Sequence, residues 1–219
     1  MLVAGRLPAR EGAPSVASRS VILVSAAVKG GVGKTTTSVY VVALAAEAGR
    51  DVTLVDADPQ ASAAEWVEEA TDDLLGKVDV VEAPTERLLG KALGHLAPGS
   101  VVVVDTPPAH ETLLAKALER ADVVVVPTRV GGVETPRATA MLDMVPTGVP
   151  VGLVICSART QTRDYHESIA TWEDEDIAVW GTIPERVAIA VGPDGWLAPD
   201  GMDAYREVWQ HVTRAAPTT

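Results

Sequence analysis

Six short runs of branched apolar residues set the limits on what this chain can fold into. They lie at 21–26, 52–55, 78–81, 101–104, 123–126 and 149–155, with a weaker seventh at 177–180. All are rich in valine, and none alternates with polar residues. A strand with one wet face alternates, so a run that does not is buried on both faces, as in a parallel sheet covered by helices. Between the runs lie amphipathic stretches near 34–48, 60–75, 85–96, 110–120, 134–144, 161–172 and 203–214. Strand–helix units joined by right-handed crossovers predict an α/β fold with a three-layer, doubly wound, mostly parallel sheet. The 219 residues, 47% of them apolar and 22% charged, exclude a disordered chain and suit one domain, placed at 21–219.

Charge and cysteine content narrow the class further. Eighteen Lys and Arg against 30 Asp and Glu leave a net charge of −12, which argues against a protein that coats nucleic acid by bulk electrostatics. Residues 1–20 run the other way, with Arg6, Arg10 and Arg19 against Glu11, and read as a disordered basic leader. No apolar run approaches the ~20 residues that span a bilayer. Cys156 is alone, which excludes a disulfide framework and fits a reducing, cytoplasmic setting. The histidines, His95, His110, His166 and His211, show no metal-ligand spacing. In the last amphipathic stretch Tyr205, Val208, Trp209 and Val212 form one apolar stripe. Its flanking charges balance, so it is expected to dock on the domain's own core and not on a membrane.

Chemistry concentrates after the first run, at Val28-Lys29-Gly30-Gly31-Val32-Gly33-Lys34-Thr35-Thr36. Glycines let the backbone curl so that successive N–H groups face phosphate oxygens, and the helix that follows adds its positive end. Gly30, Gly31, Val32, Gly33, Lys34, Thr35 and Thr36 are therefore assigned to a P-loop. Lys34 supplies charge to the β- and γ-phosphates, and the Thr35 hydroxyl is placed for Mg2+. The common pattern wants glycine at 28; this chain has Val28 there and a second lysine at 29. Two acidic strand ends follow. Asp56 and Asp58 close the second run, where residues two apart share a face. Asp105 closes the fourth, where a strand-end carboxylate can hold Mg2+ through water.

The string Lys29-Gly30-Gly31-Val32-Gly33-Lys34-Thr35-Thr36 resembles the deviant P-loop of the ParA/MinD partition and positioning ATPases, and the resemblance spans 21–214. The stretch from Asp56, with Asp58-Pro59-Gln60, Ser62 and Trp66, is most similar to the small plasmid-partition type. The resemblance implies a P-loop NTPase fold, with ATP and Mg2+ as cofactors. It implies that Lys29 reaches the nucleotide of a second subunit, that Asp58 orients the attacking water and belongs to the metal site, and that Asp56 shapes the site or reaches the metal through water. Thr35 and Asp105 hold the metal, Thr106 and Pro108 belong to switch II, and Pro184 closes over adenine. Cys156 and Ser157 replace the Asn or Thr that usually lies beside the base. Cys156 reads as a small buried hydrophobe.

By the same resemblance, ATP makes a homodimer that binds DNA non-specifically, nucleoid-associated in the cytoplasm. A ParB-like centromere-binding or cargo adaptor then stimulates slow hydrolysis. From Arg129 on, seven arginines face thirteen acids, with an acidic run at 173–176, so Arg159, Arg163 and Arg186 are the DNA candidates. Two alternatives stand beside this reading: an ATPase of the same fold that positions a protein cargo, and a metabolic P-loop ligase or kinase. Lys29 and the Asp-Ala-Asp-Pro-Gln string oppose the second. An ATPase bridging an iron–sulfur cluster is excluded because one cysteine per chain cannot supply the ligands.

Overall fold

The computed structural model describes residues 19–108, 110–190 and 197–217. Its sheet grows outward from β1 (Val21–Ser25), which lies between β4 (Val101–Asp105) and β5 (Val123–Thr128). Beyond β4 come β2 (Val52–Asp56) and the edge strand β3 (Val78–Glu82). Beyond β5 come β6 (Val151–Ala158) and the edge strand β7 (Val179–Pro184). Every neighbouring pair is parallel.

The apolar runs fail to alternate because both faces of the sheet are dry. Val101 and Val103 of β4 pack with α1 (Lys34–Glu47), α2 (Ser62–Glu68) and α8 (Pro199–Ala215). Val102 and Val104 pack on the other face with α3 (Glu86–Ala92), α4 (Glu111–Leu118), α5 (Glu134–Leu142) and α6 (Arg163–Asp174). A one-turn α7 (Val187–Ala190) follows β7. The edge strand β3 departs from the expectation of two buried faces. With a neighbour on one side only, its Val78 and Val80 are half-buried and Val81 is exposed.

Three other boundaries moved. The helix expected over 60–75 stops at Glu68, and a 3-10 turn follows at Leu75–Lys77. Between them the Asp72 carboxylate accepts from the Leu74 N–H at 2.8 Å, one of the local side-chain bonds that compete with helix. The weak seventh run becomes a strand reaching Pro184, because α8 covers it. And α8 starts at Pro199, inside what read as a turn-rich loop at 192–201. Proline suits a first helical position, and Gly201 is there because a Cβ would stand 2.4 Å from the Tyr40 ring. Residues 191–196 of that loop, and 1–18 of the basic leader, lie outside the described residues.

Arg19 pairs with Asp122, whose other oxygen accepts from the Ile22 N–H at 2.9 Å, so this leader arginine anchors β1. The apolar stripe of α8 is turned inward: Tyr205, Val208 and Val212 are buried. Among the described residues no helix is long and apolar enough to cross a membrane.

Gly201→Ala gains a little helix propensity but drives a methyl group into Tyr40. It is expected to lower stability by about 1–3 kcal/mol, measured as a shift in the urea midpoint. An unchanged midpoint would show that α8 docks more loosely than the contact with Tyr40 implies.

Candidate functional site

The carboxyl ends of the strands form one crevice, centred where the chain reverses its direction of travel across the sheet, between β4, β1 and β5. The loop after β1 lies over it. Gly31 and Gly33 take left-handed φ values of 73° and 106°, which let the loop curl back on itself. Gly33 is constrained twice, since a Cβ there would also stand 2.8 Å from the Cys156 sulfur. The cleft has a volume of about 320 Å³. Gly30, Gly31, Val32, Gly33, Lys34, Thr35, Thr36, Asp58 and Pro184 all line it, as does Pro108.

Lys34 is nearly buried, and its ammonium donates to the Lys29 carbonyl at 3.1 Å. Burial pulls its pKa down, while the negative charges of Asp105 and Asp58 oppose that. Asp105, at the tip of β4, is 1% exposed. It accepts from the Thr35 hydroxyl and the Ser38 hydroxyl, each at 2.8 Å. Burial still pushes its carboxyl up to about 7, the two hydroxyl bonds offsetting only part of the cost. A buried carboxylate touching a threonine hydroxyl is a hard-oxygen donor pair suited to Mg2+. Among the described residues no group of three His, Cys, Asp or Glu is placed to hold a metal. The chemistry of Thr35 and Asp105, a hydroxyl beside a carboxylate, fits the ion. Ser38 was not picked out in the sequence, although the polar string at 35–38 opening an apolar helix carried the signal.

Asp56 and Asp58 do not share a face as expected. β2 ends at Asp56 and the chain turns, so the two carboxylates separate. Asp56 is fully buried, and its oxygens accept from the Ala63, Ala64 and Asp58 N–H groups, each at 2.9 Å. It caps α2 and holds the turn, while burial raises its pKa. Asp58 alone reaches the cleft, half-buried, with one oxygen accepting from the Gln60 N–H at 2.9 Å. Thr106 ties the tip of β4 to β1 by donating to the Ser25 carbonyl at 2.8 Å.

Lys29 does not line the cleft. Its ammonium sits 2.6 Å from a Glu134 oxygen at the start of α5, and that bond lowers the pKa of Glu134. Half the Lys29 side chain is exposed.

The far wall is built by β6, β7 and α7. Ser157 holds φ 51° beside an irregularity in the β6–β7 register, and it lines the cleft with Cys156. Cys156 is buried, its thiol pushed up to about 11 by that burial, so it is no nucleophile. Three cleft residues escaped the sequence reading: Arg129, Ile189 and Tyr205. Tyr205 read only as part of a helix stripe. Its ring stacks on Tyr40 with centroids 5.0 Å apart, and its hydroxyl lies 3.1 Å from that of Thr37.

Of the three arginines expected to meet DNA, Arg159 and Arg186 line one shallow pocket with Glu185, and all three are exposed but lie within 4 Å of a carboxylate. Arg159 forks onto Glu185, Arg163 pairs with Glu167 at 2.6 Å, and Arg186 lines the nucleotide-sized cleft 3.8 Å from Asp200.

A parallel sheet with a glycine loop, a buried lysine and an acidic strand tip around its central crevice defines a P-loop nucleotide-binding protein. Residues 23–194 match the model of the CobQ/CobB/MinD/ParA nucleotide binding domain. The chain belongs to that family. It is 48% identical over 101 residues to the maintenance of carboxysome distribution protein A of Gloeobacter kilaueensis, across 46% of this chain and 45% of that one. It is 29% identical to the chromosome-partitioning ATPase Soj of Thermus thermophilus, across 84% of this chain and 92% of Soj. The chain thus spans about half the length of the first of these relatives and most of the second. Its fold is similar to that of a plasmid partition protein of Borrelia burgdorferi bound to AMPPNP, with a TM-score of 0.75 at 20% identity. That likeness covers 90% of this chain and 99% of the other.

Asp105 gives the site a pH signature in the absence of metal and nucleotide. An unfolded aspartate titrates near 4. Between there and about 7 the folded chain keeps a proton that the unfolded chain has lost, so stability falls as pH rises through that window. In EDTA, Asp105→Asn is expected to melt higher than wild type at pH 8, by a margin on the order of a few kcal/mol, and to lose that advantage near pH 4. Equal melting temperatures at both pH values would show that the site carries no such strain.

Proposed function

We propose that this chain is an ATP- and Mg2+-dependent partition ATPase. ATP joins two copies across their phosphate loops, and the dimer holds DNA weakly and without sequence preference. A ParB-like centromere-binding or cargo adaptor stimulates slow hydrolysis to ADP and phosphate. The observation that supports this best is the split between the two lysines. Lys34 is buried inside the cleft, whereas Lys29, five residues earlier in the same loop, stands outside it on Glu134 and half-exposed. A cation with no phosphate of its own to meet is available to a second subunit.

In this reading the backbone of 30–36 and Lys34 cradle the phosphates, and Pro184 covers the base. Thr35 and Asp105 hold Mg2+ with Asp58 nearby; the ion would supply charge neutralisation at the β- and γ-phosphates. Asp58 orients water at the open mouth. Lys29, delivered in trans, couples dimerisation to catalysis. A second reading, an ATPase of the same fold that positions a protein cargo, draws support from two observations. One is the match to a carboxysome distribution protein. The other is the pairing of Arg159 and Arg163 with carboxylates, which leaves less charge for DNA. A metabolic ligase or kinase draws none.

Size-exclusion chromatography in ATP tests the dimer. Asp58→Ala is expected to accumulate as an ATP-bound dimer, and Lys29→Ala to bind ATP yet lose adaptor-stimulated turnover. A monomeric Asp58→Ala would count against the water-orienting role of Asp58, and unchanged turnover in Lys29→Ala would sink the trans-lysine reading. A DNA titration across a salt series, with and without ATP, separates the two cargo classes. Partition on DNA predicts a salt-dependent affinity that appears only with ATP, and its absence favours a protein cargo.

A further inference from the structure

Arg129 has no role in anything described so far, and it combines a place in the cleft with the lack, among the described residues, of a carboxylate partner. Five of the seven arginines from 129 onward lie within 4 Å of a carboxylate: Arg137, Arg159, Arg163, Arg186 and Arg206. Among the described residues Arg129 does not, although it is exposed and the chain carries 30 acids. Glu185, the carboxylate near enough to feel its charge, is already forked by Arg159. Arg129 follows directly on Thr128, the last residue of β5, and β5 pairs with the strand that feeds the phosphate loop. It lines the cleft together with Gly33, Cys156 and Ser157.

The supply of cations inside the cleft is short. Lys29 is turned away to Glu134, Lys34 is buried with its ammonium on a carbonyl, and Arg186 leans toward Asp200. A nucleoside triphosphate brings several negative charges. A guanidinium without a carboxylate, lining the same cleft as Gly33, matches phosphate oxygens through two parallel N–H bonds. We infer that Arg129 is a phosphate-binding residue of this cleft, acting in cis on the polyphosphate of its own subunit's nucleotide. It gives the single chain a nucleotide affinity that does not wait for Lys29 of a second copy. The inference rests on the nucleotide-site reading above.

Calorimetric titration with AMPPNP, ADP and adenosine, in magnesium and at several salt concentrations, tests it. Arg129→Ala is expected to weaken AMPPNP and ADP by about tenfold or more, to leave adenosine unchanged, and to flatten the salt dependence. Arg129→Lys, which keeps the charge and loses the fork, falls between. Arg214→Ala, an exposed arginine on α8 away from the cleft, stays within twofold of wild type and reports any effect of bulk charge. The loss persists in a Lys29→Ala background, as a contact in cis requires. The inference is overturned if Arg129→Ala binds AMPPNP within twofold of wild type, if adenosine weakens equally, or if the loss vanishes with Lys29→Ala. A wild-type chain that takes up none of the three ligands overturns the nucleotide-site reading itself, and this inference with it. The nucleotide-free melting temperature of Arg129→Ala, expected to match wild type for an exposed side chain, separates lost binding from lost folding.

Discussion

Two opposite charges held in a dry sheet edge govern how this molecule is put together. Lys34 opens α1 and Asp105 ends β4, and both sit over a sheet whose strands are largely valine. Burying either alone is costly. The chain surrounds Asp105 with two hydroxyls from the start of α1, those of Thr35 and Ser38, and gives Lys34 a carbonyl of its own loop. Burial still dominates for both groups, depressing the lysine and raising the aspartate. A phosphate beside Lys34 and a divalent cation beside Asp105 relieve both penalties together. The fold is thus strained in the place where a magnesium nucleotide would remove the strain.

The rest of the charge distribution follows from the excess of acids. With 30 acids in the chain, several lysines and arginines in solvent are claimed by a carboxylate. Lys29 is held by Glu134, Arg159 by Glu185 and Arg206 by Glu47. Exposed pairs of this kind are worth little individually, and phosphate or a second subunit can compete for their cations. The pairing therefore acts as a set of defaults in the free chain. It also gives meaning to Arg129, an exposed cation at the cleft that, among the described residues, is left out of it.

Much of this was legible in the residues. The valine runs announced a sheet buried on both faces, and the glycines, Lys34 and Thr35 announced a phosphate loop, because both depend on residue type and near-neighbour spacing. What escaped depended on distant partners. Asp56 looked equivalent to Asp58 until α2 came to rest on it. Arg186 looked like a surface cation until β7 extended to Pro184 and carried it to the cleft. Tyr205 looked like one more residue of a helix stripe, although it lies under the phosphate loop, 168 positions from its hydroxyl partner Thr37.

By itself the sequence determined the class of fold, the loop that meets phosphate and the acids at the strand tips. Those features are local: a run of residues that cannot face water, a turn that only glycine can make, a charge at the end of a strand. The tertiary structure decided which carboxylate faces the cleft and which caps a helix, and which arginines are already paired. It also showed that Lys29 stands outside the site while Arg129 stands inside it. Those outcomes turn on distances between elements far apart in the chain, and a charge acts through the groups that surround it once the sheet has assembled.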